Sequence, residues 1–381
     1  MTRKTLAADM WPSLTFADAN KVYGDFLANG RPRIKGFLES VLLYDEVHVP
    51  TDSFMSLAII VGVLGERPTH ELLDSGTLKF LHFNGALAYA GNGGGLTDYS
   101  IGHNPGNPVA MFGATQEAAN WALSGLNSHP DVSSLLPKVA RATSEMYLKD
   151  HLQSITARTY AAINSSDGLR QKFSIEESDL SRLAGIAPNQ IRVWPGYDEP
   201  GQQAPDGIDA VLRVARSYVE AAGAEHIGNA DVSTATPIGY VIEDEEAKAG
   251  LRLSGLHQIT KIPDLGEDIL VGRFSVEQLL KLKQSYDWPK FRDWFHEHCT
   301  NDPIETAKAY VDLLKTTPGS DSLVGRSIRF LATTAIGLLN PVAGVAAAAA
   351  DTYLVPRAHP PSAKFFIERL EQVTKQQAKD A

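Results

Sequence analysis

The chain has 381 residues, 43% of them hydrophobic and 21% charged, an ordinary globular composition with no disordered or fibrous bias. Acidic residues outnumber basic ones 45 to 35, a formal charge of −10, and this argues against general nucleic-acid or anionic-membrane binding, which needs clustered Lys and Arg. The single cysteine, Cys299, leaves no intramolecular disulfide and no Cys-rich zinc module, and no apolar stretch follows the basic N-terminal residues as in a secretory signal, so a cytoplasmic location is expected.

In chain order, apolar residues recur at helical spacing over residues 14–29 (Leu14, Phe16, Val22, Tyr23, Phe26, Leu27) and 33–44 (Ile34, Phe37, Leu38, Val41, Leu42), with Gly30 and Pro32 dividing two predicted helices. Residues 46–50 (EVHVP) read as a short strand. Residues 54–64, apolar almost throughout, predict a buried helix ended by Gly65, and 68–74 a further helical turn or two. Residues 77–83 and 86–90 flank Asn84-Gly85, two residues that tolerate positive φ, and this predicts a type I′ hairpin. Residues 91–109, rich in Gly, Asn and Pro, lose all periodicity and read as a long loop, a kind of segment that often carries function.

Helices are predicted over 115–126, over 134–164 with Pro137 in the first turn, over 208–222 and over 290–299. Pro and Gly crowd 187–207, an expected exposed crossing with a short extended piece at 191–194. Ser275 with Gln278 forms a capping box, and Asp302-Pro303 with Glu305 marks another helix start. Residues 330–350 carry no charge over 21 positions, long enough for a membrane span. Asn340-Pro341 sits near the middle and the second half is Ala- and Gly-rich, so a buried helical hairpin turning at 339–341 is the better reading. Residues 362–376 predict a last amphipathic helix. Together these give an α+β, predominantly α-helical chain: an N-terminal α/β lobe with the hairpin (1–112), a helical body (113–320), and a C-terminal apolar helical hairpin with a terminal amphipathic helix (321–381).

No motif completes a reaction. The run Gly91-Asn92-Gly93-Gly94-Gly95 lacks the Lys and Ser/Thr of a phosphate loop and opens no helix as a dinucleotide fingerprint must. In His296-Glu297-His298-Cys299 only His296 and Cys299 would share a helical face, short of a zinc ligand set. Glu246-Ala247-Lys248, with Asp231 upstream, has the E-x-K spacing of a nuclease site but reads as a solvated acidic face. His82 reads as a strand-face histidine, and GxSxG and supported SxxK motifs are missing.

Missing signatures favour a non-enzymatic interaction or regulatory component, acting on a protein partner or by self-association, without a cofactor. Its expected anchors are the aromatics Tyr99, Trp194, Tyr197 and Trp288, in or near predicted loops. The first alternative is a metal-dependent hydrolase, of nuclease type, using a divalent metal with Asp45, Glu46 and Asp52 (Asp74 nearby in sequence) and His103 of the Gly/Asn loop. The second is an effector whose apolar 330–350 hairpin is released into a membrane.

Overall fold

The computed structural model describes residues 2–11, 30–51, 54–84, 86–91, 97–102, 115–126, 130–165, 206–228, 230–233, 265–299, 305, 308–309, 312–313, 363, 366–367 and 369–370. The chain divides into two units, Met1–Lys248 and Ala249–Ala381. Its class is mixed: among the described residues ten α-helices accompany a parallel five-stranded sheet.

In the first unit the sheet takes β1 (Lys4–Ala7), β2 (Glu46–Thr51), β3 (Leu78–Asn84), β6 (Thr143–Tyr147) and β7 (Asp231–Ser233). Their order is β6-β3-β2-β1-β7, and every neighbouring pair is parallel. A parallel sheet needs cover on both faces, and its inner strands read as near-continuous apolar runs. β3 shows this: Leu78, Phe80, Leu81 and Phe83 are all buried, although they point to alternate sides. A separate antiparallel pair is formed by β4 (Ala86–Gly91) and β5 (Thr97–Gly102).

The helices of this unit are α1 (Arg31–Leu43), α2 (Met55–Leu64), α3 (Glu66–Asp74), α4 (Thr115–Ser124), α5 (Val132–Arg141), α6 (Leu152–Ser165) and α7 (Asp206–His226). Two contacts show which side each layer takes. The ring of Phe54, at the start of α2, lies 5.6 Å from Phe80 and 5.1 Å from His82. On the other side, a Cβ on Gly223 of α7 would come within 2.8 Å of Leu81 Cδ2 and 3.2 Å of Phe83 Cζ. Phe80 and His82 alternate with Leu81 and Phe83, so α2 and α7 cover opposite faces, and only glycine at 223 lets α7 approach this closely. The handedness of crossovers explains the split. From β1 to β2, β3 and β6 the chain steps one way across the sheet, placing α1 to α5 on one face. From β6 to β7 it runs back past β1, placing α6 and α7, which pack together, on the other.

The second unit contains α8 (Leu265–Leu270), α9 (Val276–Lys283) and α10 (Trp288–His298). Ser275 caps α9 through the expected box: Gln278 N–H donates to Ser275 Oγ at 3.1 Å and Ser275 N–H to Gln278 Oε1 at 2.8 Å. Phe291 of α10 stacks on Phe366, ring centroids 4.5 Å apart, and Ala363, Ile367 and Leu370 are buried as well.

Three sequence expectations are corrected. The Asn84-Gly85 hairpin does not form between β3 and β4: both edges of β3 are taken, by β2 and β6, so β4 pairs with β5 instead. That second strand, Thr97–Gly102, lies inside the stretch read as an unbroken loop. The single helix over 134–164 is instead α5, β6 and α6. α5 stops at Ala142, whose N–H bonds both Lys138 O and Val139 O, and Thr143 then opens the strand that covers the edge of β3. β1 and β7 had no counterpart in the sequence reading. The helix at 14–29, the extended piece at 191–194, the start signal at 302–303 and the apolar 330–350 hairpin lie outside the described residues. Among those described, no helix is long and apolar enough to cross a membrane.

Candidate functional site

In open parallel sheets ligands bind at the carboxyl ends of the strands, where the strand order reverses and the helices leave to opposite faces. Here the reversal lies at β1, between β2 and β7. Directly after β1 the chain makes a short 3-10 turn, Ala8–Met10, whose middle residue is a buried acid, Asp9.

The turn is held from both helical layers. Arg216 of α7 donates through Nη2 to Ala8 O at 3.1 Å and to Trp11 O at 2.7 Å. Its Nε donates to Glu220 Oε1 at 2.8 Å, and its guanidinium lies over the Trp11 ring at 4.8 Å. Trp11 in turn packs on Phe83, centroids 4.8 Å apart. From the α2 side, Ser56 Oγ lies 2.8 Å from Met10 O and 3.0 Å from Pro50 O, tying the ends of β1 and β2 together.

Four charges meet around this turn. Asp9 acts on Arg33, in the first turn of α1, and on Glu220, while Arg216 acts on both Arg33 and Glu220. Burial lowers the Arg33 guanidinium from its ordinary value, with Asp9 opposing the change. Burial raises the Glu220 carboxyl, against the pull of the Arg216 guanidinium. Two carboxyl groups and two guanidiniums thus interact at the point where the sheet order reverses.

The same edge continues across β2, β3 and β6. Thr51 is in register with His82, and His82 with Glu145, so these three residues share one face. Thr51 Oγ1 accepts from Phe54 N–H at 2.7 Å, and Phe54 itself is buried in the left-handed region, φ 58°. A non-glycine residue there costs about 1–3 kcal/mol, and such strain concentrates at functional edges. His82 lies buried against Phe54, whereas Tyr147, which donates to Glu145 Oε2 at 3.3 Å, is 44% exposed. The edge therefore runs from buried charge at β1 to exposed hydroxyl and carboxylate at β6.

The sequence candidates fall elsewhere. Asp45 and Glu46 sit at the amino end of β2, the opposite edge of the sheet: Asp45 Oδ2 accepts from Arg3 N–H at 2.7 Å, and Glu46 lies 3.8 Å from Lys4 Nζ and 3.2 Å from His48 Nε2. Asp74 ends α3 and pairs with Lys138 at 2.6 Å. Asp52, His103, Trp194 and Tyr197 lie outside the described residues, as does the Glu246–Lys248 pattern, and Tyr99 is placed by its backbone alone, in β5. Trp288 is not in a loop: it is the first residue of α10, buried, with Lys283 Nζ 5.3 Å and Arg292 Cζ 5.0 Å from its ring. Cys299 is buried at the end of the same helix. Among the described residues no group of three or more His, Cys, Asp or Glu side chains could hold a metal ion. Asp9 escaped the sequence reading because its position means something only once residues 4–7 are known to be a strand. No family model matches the chain, and no curated protein or solved structure matches it.

Proposed function

We propose that the Met1–Lys248 unit acts by binding a small polar ligand at the carboxyl edge of its sheet, with Asp9 as the group that contacts it. One observation carries this reading: the strand order reverses at β1, and the turn that follows carries the buried Asp9 and has its backbone held by side chains from both layers. A site whose groups are already held in place spends little free energy on ordering when its ligand arrives. The strained Phe54 and the row Thr51, His82, Glu145 support it as further polar and shaping elements of one edge.

Native mass spectrometry and thermal shift with nucleotides, sugar phosphates and dicarboxylates, each with and without magnesium, test it. A ligand at a hundredfold its Kd stabilises by about 2.7 kcal/mol, an upward Tm shift of roughly 5–10 °C for a unit of this size. The shift should vanish in Asp9→Asn, which keeps the shape and removes the charge. A ligand shift that survives in a folded Asp9→Asn protein rules out this assignment.

A second reading, binding of a protein partner, draws on the other unit. In the turn between α9 and α10, Tyr286 is 67% exposed while its neighbour Trp288 is buried. Tyr286, not Trp288, is the aromatic available to anchor a partner there. Tyr286→Ala should weaken self-association by sedimentation, or capture of a partner, with Tm unchanged; association that is unaltered removes this surface.

A further inference from the structure

The amino half of the sheet carries a histidine that the site at the opposite edge does not use. His48 lies in β2 with only 4% of its surface exposed. It is in register with Leu6 of β1 on one side and Lys79 of β3 on the other. Its Nε2 lies 3.2 Å from Glu46 Oε2, and Glu46 is also 3.8 Å from Lys4 Nζ. Its Nδ1 is buried and has no hydrogen-bond partner among the described residues. A neutral imidazole fits this position, donating from Nε2 to Glu46 and leaving Nδ1 as a bare acceptor. A protonated one must place a second N–H where no described acceptor receives it.

We propose that His48 makes the sheet acid-sensitive: protonation puts a cation and an unsatisfied donor between Lys4 and Lys79 inside the β1–β2–β3 pairing, and that pairing opens. The surrounding charges set the balance. Glu46 on the same strand favours the cation, while Lys4 and Lys79 on the flanking strands oppose it. On the face shared with α7, Lys4 Nζ donates to Ile227 O at 3.0 Å, Arg216 and Glu220 are closed on each other, and Glu225 and His226 are exposed. No carboxylate beyond Glu46 is thus placed to rescue the cation among the described groups of these elements. α1 and α2 cover the other face. Burial is the dominant cause acting on the imidazole, and it lowers the His48 pKa from the ordinary value.

The sign follows from proton linkage. An unfolded chain binds the proton near pH ~6.5, and the folded chain binds it only at lower pH. The contribution of neutral His48 is therefore fully present above about pH 6.5 and is lost as pH falls toward the folded value, by at most about tenfold in the opening equilibrium per pH unit.

Amide hydrogen exchange of the full chain between pH 7.5 and 5, corrected for intrinsic rates, reads this directly. Peptides covering β2 and β3 should lose protection below pH ~6.5, up to about tenfold per unit, and His48→Gln, whose amide can still donate to Glu46, should flatten that loss. Equal pH dependence in wild type and His48→Gln overturns the proposal. If the variant fails to fold, the side-chain resonance of His48 in the wild-type protein decides. The ring should stay neutral while β2 and β3 remain protected; a ring that protonates with the strands still protected overturns it as well.

Discussion

Replacing Arg216 with alanine should cost about 3–5 kcal/mol, among the largest effects of any single substitution in this chain, because it breaks a buried pair and leaves the other charge uncompensated. The Arg216 and Glu220 side chains are 14% and 7% exposed, so solvent screens little of this loss. The substitution also strips the donor from Ala8 O and Trp11 O and removes the cation over the indole. Thermal unfolding should show the loss as a Tm fall of roughly 6–20 °C. The pH dependence of the effect separates the charge from the packing. Burial already raises the Glu220 carboxyl, and without Arg216 nothing strong opposes that. A carboxyl whose folded value lies above its unfolded one takes stability away as pH rises through the folded value. Arg216→Ala should therefore be least damaging near pH 4.5 and below, and the double variant Arg216→Ala/Glu220→Gln should recover part of the loss at neutral pH. A loss that is the same at all pH values would show that the aliphatic stem, not the charge, matters.

The second large effect is expected in the other unit. Phe291 is completely buried, and its ring meets Phe366 at 4.5 Å in a stacked arrangement. Truncating a buried phenylalanine to alanine costs about 3–5 kcal/mol, from lost transfer energy plus the cavity left behind. Phe291→Ala should therefore destabilise Ala249–Ala381 by that amount. Hydrogen exchange localises the effect: faster exchange in α9 and α10 is expected, with β1 to β3 unaffected. In a double-mutant cycle, Phe291→Ala with Phe366→Ala should give a coupling of about 0.5–1.5 kcal/mol for the ring contact. A coupling of zero would mean that the two rings do not depend on each other and that the helical residues near 366 are held some other way.

How far the sequence carried the fold depended on how local each signal was. The helices α1, α2, α4 and α10 announced themselves through 3.6-residue apolar spacing or through a solid apolar run, and α9 through the residues of its box. β2 was legible because its hydrophobic run is bounded by charge and proline. β1 and β7 were not, since four residues and three residues give no periodicity to recognise. The Asn84-Gly85 dipeptide suits a tight turn, but the local preference lost to a non-local fact, the filling of both edges of β3. Thr143–Tyr147 was absorbed into a helical run for the same reason: its partner strand lies some sixty residues earlier, with Phe80 opposite Thr143. The site suffered most. Asp9, Arg33, Arg216 and Glu220 share no motif and come from three separated segments, so only the topology assembles them. Asp45 and Glu46 looked catalytic because an acid beside a strand often is, but the strand direction puts them at the amino end of the sheet.

The place of β1 in the sheet has a consequence during synthesis. β1 pairs with β2 through residues 4–6 and 46–48, which leave the ribosome early, but its other edge is closed only by residues 231–233. At a translation rate of about 5–20 residues per second, the interval between the two events is roughly 10–40 s. Throughout that time the backbone N–H and C=O groups on one side of β1 have no partner among the described strands, and a second nascent chain can supply one. Brief pauses in elongation before residue 231 should therefore raise the yield of aggregated chains, whereas pauses after β7 has emerged should not.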